Sequence, residues 1–146
     1  MTYNSPESFQ AFEEFYKQGL LSTASVPRMV ILLYERLETS LEQAARCIAD
    51  PVSYHQSLEI SQQIVNHLLQ IFMQSEDAAY YQLYLSHEQL SQSLTKLFKS
   101  NDSKHLNECL KIVKTYHQSW RQQQQLKRRF LKERQKPPLN VRRKHD

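Results

Sequence analysis

A single glycine, Gly19, occurs among the 146 residues of this chain. Sheet proteins use glycine at hairpin turns and bulges, where the backbone adopts dihedral angles that other residues disfavour. Because one glycine cannot supply such turns, we predict an all-α fold. Hydrophobic residues make up 40% of the sequence, within the range of globular proteins, so the helices can bury a core.

Residues 23–48 contain the longest apolar pattern and predict the central helix of the fold. Six residues alternate between spacings of four and three, which places them on one stripe of a bundle helix: Val30, Tyr34, Leu37, Leu41, Ala44 and Ile48. Every residue from 29 to 34 is apolar, so this part of the helix must be covered on all sides. Either other helices of the chain or a partner cover Met29, Ile31 and Leu33.

Four further segments have helix-start signals or helical spacing. A short aromatic helix begins at Ser5-Pro6-Glu7 and ends near Gly19. Ser53 and Gln56 form a predicted capping box that opens a third helix, Ser75-Glu76-Asp77 caps a fourth, and a fifth follows Ser100-Asn101-Asp102. Connections of roughly two to six residues make consecutive helices antiparallel neighbours. We therefore predict an antiparallel up-down-up-down four-helix bundle with a short N-terminal helix and a basic C-terminal extension.

Each of the last three predicted helices has its own apolar stripe. In the third helix a second stripe, formed by Ile60, Ile64 and Ile71, predicts burial on two sides. The main stripes are Leu58, Ser61, Val65, Leu68 and Phe72 in the third helix, Tyr80, Leu83, His87, Leu90, Leu94 and Leu97 in the fourth, and Leu106, Cys109, Val113, Tyr116 and Trp120 in the fifth.

The net charge of +4 is distributed unevenly along the chain. Residues 127–146 hold nine basic and two acidic residues, a charge of +7, which leaves ten basic and thirteen acidic residues, a charge of −3, for residues 1–126. We divide the chain into a bundle domain, residues 1–125, and a basic extension, residues 126–146, partly disordered after Pro137-Pro138. The folded body is not expected to bind nucleic acid. The extension is either a solubilising tail or a contact for an acidic partner, a membrane surface or nucleic acid.

The residue patterns of an enzyme or a metal protein are missing from the sequence. No glutamate has a histidine three residues on, which a carboxylate di-iron bundle requires, and the six histidines lack ligand spacing. One glycine cannot build a phosphate loop. We expect no enzymatic activity, no cofactor and no metal, and we interpret His87 as a hydrogen-bonded core histidine. Cys47 and Cys109 are interpreted as buried free thiols.

Membrane and secretion signals are also missing. No apolar run approaches the roughly 18 residues of a membrane span. The N-terminus has no basic region followed by an apolar stretch, so no secretory signal is visible. We expect a cytoplasmic protein without membrane insertion.

Several short motifs follow one another along residues 9–121. They are Tyr16-Lys17-Gln18 with Leu21, Thr23-Ala24-Ser25, Leu33-Tyr34, Ile64-Val65 with Leu68, Leu83-Tyr84, and Trp120. In this order and spacing they resemble the FliS family of flagellin-specific export chaperones. The chain departs from the family pattern in a proline displaced to Pro27, Ser61 in place of alanine, Leu85-Ser86 in place of an Asp-Tyr pair, and a longer basic extension.

The resemblance implies a cytoplasmic chaperone for flagellin. Such a protein binds the disordered C-terminal segment of flagellin as helices in apolar grooves, prevents premature filament assembly and assists type III flagellar export. The two-sided apolar surfaces of the second and third helices agree with this, because helix-in-groove recognition requires them. The expected client-binding residues are Tyr16, Leu21, Met29, Ile31, Leu33, Ile60 and Ile64. The resemblance also allows other flagellar export or regulatory proteins as partners, and leaves open whether there is a second client.

Other interpretations remain open. The extra apolar surfaces can be plain core beneath the N-terminal aromatic helix. The core and client-site interpretations both hold if that helix covers the site until a client displaces it. A different function is that of a small helical adaptor that binds nucleic acid or an anionic surface through its basic tail. A third interpretation is a homo-oligomer in which the extra apolar stripe is the interface between copies. Our own expectation is a monomer or a weak homodimer.

Overall fold

A computed structural model describes residues 26–75 and 77–135, so the predicted N-terminal helix lies outside the described residues. Within these ranges the chain forms four α-helices and no strand: α1 (Val26–Arg46), α2 (Pro51–Met73), α3 (Ala78–Leu97) and α4 (Ser103–Gln135). α1 packs against α2 and α4, and α3 packs against α2 and α4. The predicted all-α four-helix bundle is confirmed.

The predicted stripes form the core of the bundle. Along α1 the five residues from Val30 to Ala44 on the stripe are completely buried, and the stripe residues of α2 are equally buried. In α3 and α4 the stripe is buried over most of its length, but Tyr80, Leu83 and Tyr116 are only partly buried. These three residues mark the region where the core opens toward solvent.

Aspartate side chains cap two of the helices, one within the predicted cap segment 75–77 and one at the end of the predicted turn 100–102. The Asp77 carboxylate accepts a hydrogen bond from the backbone N–H of Ala79 at 2.9 Å, and the Asp102 carboxylate accepts from those of Lys104 and His105 at 3.1 and 3.2 Å. These bonds satisfy N–H groups that have no partner within the helix.

The predicted capping box at Ser53 is wrong. α2 begins two residues earlier, at Pro51, and the Ser53 hydroxyl donates to the Asp50 carboxylate at 2.9 Å. Proline is favoured in the first helical turn because its φ angle is already helical and its missing N–H would be unpaired there. Pro51 therefore fixes the start of the helix, and Ser53 lies inside the first turn.

Small hydroxyl residues lie at the contact between α1 and α2. The hydroxyl oxygens of Ser40 and Ser61 are 2.6 Å apart, and both side chains are buried. The Ser40 hydroxyl also contacts the Leu37 carbonyl of its own helix, and the Ser61 hydroxyl contacts the Ser57 carbonyl. A serine is tolerated in this core because its hydroxyl has partners on both helices.

α4 is much longer than the other three helices. It has 33 residues against 20 to 23 in α1, α2 and α3. At 1.5 Å per residue it is about 50 Å long, whereas the others span about 30–35 Å. No residue of α4 after Trp120 is buried, so its C-terminal part extends past the bundle.

We expect Leu37→Ala and Leu68→Ala each to lower the free energy of unfolding by about 2–5 kcal/mol, because both leucines are completely buried and their removal leaves a cavity. Leu126→Ala is the matched control: this leucine is 61% exposed, and its loss should change the stability by less than about 0.5 kcal/mol. Urea denaturation measures all three. A core variant as stable as the control would contradict the assigned packing.

Candidate functional site

A groove of about 700 Å³ lies between α3 and α4, beside the first turn of α1. α3 and α4 are the least closely packed of the neighbouring helix pairs. The large rings of Tyr80, Tyr116 and Trp120 line the space between these two helices, and the Tyr80 ring contacts that of Trp120. The groove residues combine apolar and uncharged polar side chains with one lysine: Pro27, Ala79, Tyr80, Gln82, Leu83, Ser86, Tyr116, Ser119, Trp120, Gln123, Gln124 and Lys127.

Three aromatic rings from three helices pack together beside the groove. The Trp120 ring stacks on Phe72 with centroids 6.2 Å apart, and it meets Tyr80 edge-on at the same distance. Phe72 and Tyr80 complete the triangle at 5.9 Å with perpendicular planes. Stacked and edge-to-face rings add stabilisation beyond that of buried area. The groove therefore has an ordered aromatic wall.

A buried tyrosine–histidine pair lies behind this wall. The Tyr34 hydroxyl donates to His87 Nε2 at 2.8 Å, and His87 Nδ1–H donates to the Leu83 carbonyl at 2.8 Å. The carbonyl can only accept, so Nδ1 carries a proton, and in the neutral imidazole that burial favours Nε2 accepts from the Tyr34 hydroxyl. Burial lowers the pKa of His87 to about 4 and raises the pKa of Tyr34 well above its ordinary value. The interpretation of His87 as a hydrogen-bonded core histidine is confirmed.

The ring of Tyr116 joins the buried pair to the groove. Its centroid lies 4.5 Å from that of His87 and 6.0 Å from that of Tyr34, on which it stacks. Tyr116 also lines the groove and is only partly buried. A ligand in the groove would therefore touch the same ring that packs on the buried hydrogen-bonded pair.

Charged contacts join α1 to α4 on the neighbouring side of the bundle. His117 Nδ1 is hydrogen-bonded to the Glu38 carboxylate, and its Nε2 lies 3.8 Å from a carboxylate oxygen of Glu35. Lys114 pairs with Glu42 at 3.5 Å. The sequence interpretation missed His117, which is buried although it lies beside the predicted stripe. The partners of His117 and Lys114 lie far away along the chain, so no local pattern in the sequence marked these contacts.

The described residues bear on three other kinds of site: a metal-ligand cluster, a reactive thiol and a membrane span. In residues 26–75 and 77–135 no group of three or more histidine, cysteine, aspartate or glutamate side chains could hold a metal ion. Burial raises the pKa of the Cys109 thiol to about 11, which keeps it protonated and therefore unreactive. None of the helices in this part of the chain is both long enough and apolar enough to cross a membrane.

The predicted client-binding residues are distributed over different parts of the bundle. Met29, Leu33 and Ile64 are buried in the core, whereas Ile31 and Ile60 are partly buried and pack against it. Tyr16 and Leu21 lie outside the described residues.

Two sides of α1 carry the predicted residues of that helix. Leu33 lies two turns before Ser40 and shares the side of α1 that contacts α2. Ile31 lies one turn before Glu35, on the side that contacts α4. The structure therefore places Leu33 and Ile31 on different sides of the helix. None of the five predicted residues that the structure describes lines the groove between α3 and α4.

A comparison with protein families matches this sequence. The family model described as "Flagellar protein FliS" matches residues 8–127, a range that includes all the residues lining the groove. No curated protein matches the chain at a significant level.

The buried His87 makes the stability of the protein sensitive to acid. In the unfolded chain its pKa is 6.5, and in the fold it is about 4. Below pH 6.5 the unfolded state therefore binds a proton that the native state does not, and stability falls until the pH passes about 4. We expect protonation of His87 to lower the free energy of unfolding by about 3 kcal/mol over that interval, at 1.36 kcal/mol per unit of pKa.

Urea denaturation across this pH range measures the effect. The variant His87→Gln keeps a side-chain acceptor for Tyr34 but cannot titrate, so its stability should fall less steeply between pH 6.5 and 4. Equal slopes for the two proteins would show that His87 is not protected from protonation in the fold.

Proposed function

This chain belongs to the FliS family of flagellar export chaperones, and we propose that it binds the disordered C-terminal segment of flagellin in the cytoplasm. Bound flagellin cannot assemble prematurely and is delivered to the type III flagellar export apparatus. The groove between α3 and α4, with its aromatic wall, is the observation that carries this proposal. The family supports the general role, and the groove supplies a surface on which a segment of a client can fold.

The shape and lining of the groove suit an amphipathic helix. Helix-in-groove recognition places apolar side chains spaced three and four residues apart into a hydrophobic channel. Leu83, Tyr80 and Trp120 provide the apolar contact area, and tryptophan and tyrosine are the residues that most often dominate binding energy at interfaces. Gln82, Gln123 and other uncharged polar residues at the groove can hydrogen-bond the polar side of a bound helix. The client loses conformational entropy when it folds on binding, which lowers its affinity for a given interface area.

The residues predicted from the sequence extend this site in the proposal. Ile31 and Ile60 are partly buried, so each retains apolar surface for a client that wraps around the bundle. Met29, Leu33 and Ile64 support them from the core. We further propose that the aromatic N-terminal segment, with Tyr16 and Leu21, covers the client surface in the free protein and yields when flagellin binds. Affinity is then reduced by the fraction of protein in the covered state.

The decisive substitution is Leu83→Asp, with Leu85→Asp as its matched control. Leu83 lines the groove, whereas Leu85 is exposed on the same helix and does not line it. A carboxylate in the groove would lose its hydration without gaining a partner, so Leu83→Asp should weaken the binding of a flagellin C-terminal peptide at least tenfold. Leu85→Asp should change it less than about twofold. Calorimetric titration measures both, with circular dichroism to verify that each variant is folded.

Further arms of the same titration test the remaining parts of the proposal. The wild-type protein should show a large favourable enthalpy and an opposing entropy, as expected when a disordered segment folds on binding. Groove binding should depend weakly on salt, whereas tail-driven binding to nucleic acid falls steeply with it. Ile31→Asp should also weaken binding, and removal of residues 1–15 should preserve or tighten it. If the shortened protein stays folded but no longer binds, the N-terminal segment belongs to the site and does not shield it.

A further inference from the structure

The α4 side of the groove continues beyond the bundle. Tyr116, Trp120, Gln123 and Lys127 line the groove at successive spacings of four, three and four residues. Phe130 and Arg134 continue the same spacing, so they lie on the same side of α4. α3 begins at Ala78, and its Tyr80 already packs against Trp120. The α3 wall therefore ends while the α4 wall continues as a ridge of Lys127, Phe130 and Arg134, which we call the extension ridge.

The extension ridge combines an exposed ring with positive charge. The side chain of Phe130 is 62% exposed, and the Arg134 guanidinium carbon lies 5.5 Å from the centroid of its ring. Residues 126–135 contain five basic side chains and one acidic side chain, Glu133. A helix gains most of its stability from the packing of its apolar residues, so a partner that packs on Phe130 would stabilise this end of α4. Exposed apolar patches that are surrounded by polar residues are typical of interaction sites.

We propose that the extension ridge binds the acidic end of an amphipathic helix whose apolar part lies in the groove between α3 and α4. The partner is a protein segment with apolar residues spaced three and four apart, followed at one end by aspartates or glutamates. Its carboxylates pair with Lys127 and Arg134, and an apolar side chain between them packs on Phe130. The proposal rests on the proposed use of the groove as a helix-binding site, though not on flagellin as the client.

The distribution of side chains around this part of α4 favours a protein partner over a membrane. A membrane-surface helix needs its apolar residues on one side and its charges on the other. Phe130 and Leu131 are neighbours in sequence and therefore point about 100° apart. Lys127 and Arg134 lie between the directions of Phe130 and Leu131 around the helix, so the charges interrupt the apolar side, and Arg128, Arg129 and Lys132 lie on other sides.

Charge on the rest of the chain favours a protein over nucleic acid. Residues 1–126 carry a charge of −3. On α1 the carboxylates of Glu35 and Glu42 are each more than 40% exposed, beside α4. A long polyanion that lies along the bundle would meet these carboxylates, whereas a helix with acids confined to one end would not.

Binding of two designed peptides to the full-length protein tests the proposal. Both peptides have 21 residues with leucines spaced three and four apart, and they differ only in one terminal turn, which holds four glutamates or four glutamines. We expect the glutamate peptide to bind at least tenfold tighter than the glutamine peptide in fluorescence anisotropy at low salt. The double variant Lys127→Gln, Arg134→Gln should remove this preference, and Phe130→Ala should weaken both peptides.

The matched control removes the same charge from the other sides of the helix. Arg128→Gln with Lys132→Gln should reduce the preference by no more than about twofold, and Leu131→Ala should have no effect comparable to that of Phe130→Ala. If the two double variants lose the preference equally, the extension acts as a diffuse positive field and the ridge is refuted. Tighter binding of anionic lipid vesicles or of a DNA duplex than of the glutamate peptide, or failure of both peptides to bind, also overturns the proposal. Flagellin binding can persist in all these cases, so the proposed function is judged separately.

Discussion

The hydrogen bond from the Tyr34 hydroxyl to His87 Nε2 determines how three helices of this bundle meet. Both side chains are completely buried, so the free energy of burying their polar atoms is offset only if each atom finds a partner. His87 uses its other ring nitrogen on the Leu83 carbonyl, which fixes the tautomer and the orientation of the ring. The bond therefore favours one rotation of α3 about its own axis relative to α1. Tyr116 of α4 packs on both rings.

The groove is a consequence of this rotation. His87 points into the core, and Leu83, one turn earlier, then lies at the edge where α3 faces α4. The rings of Tyr80, Tyr116 and Trp120 pack toward the core between α3 and α4 and line the groove on its inner side. The aromatic groups that stabilise the bundle also form the surface on which a client can bind. In the proposed function, groove and core share the same side chains, and client binding is coupled to the packing around Tyr34.

Helical periodicity was sufficient to predict the bundle but not the groove. The main stripes of α1 and α2 were correct except for Ile48, which lies past the end of α1 and is only partly buried. They could be predicted because burial on a helix repeats with the helical period. Two apolar sides on one helix, in contrast, indicate only that other helices or a partner cover both of them. Met29, Leu33 and Ile64 are buried in the described fold, and a single sequence does not distinguish core from client surface. The distance between α3 and α4 depends on rings from several helices, which no local pattern contains. His117 was missed for the same reason, since its partner Glu38 comes from a distant part of the chain.

Trp120 provides the most direct test of the groove as the client site. It is the only tryptophan of the chain and lines the groove with 8% of its surface exposed. A flagellin C-terminal segment without tryptophan should change the wavelength and intensity of Trp120 emission, with a saturation point equal to the stoichiometry found by calorimetry. If the segment binds calorimetrically while Trp120 emission stays constant, the client lies elsewhere on the bundle and the groove is not its site.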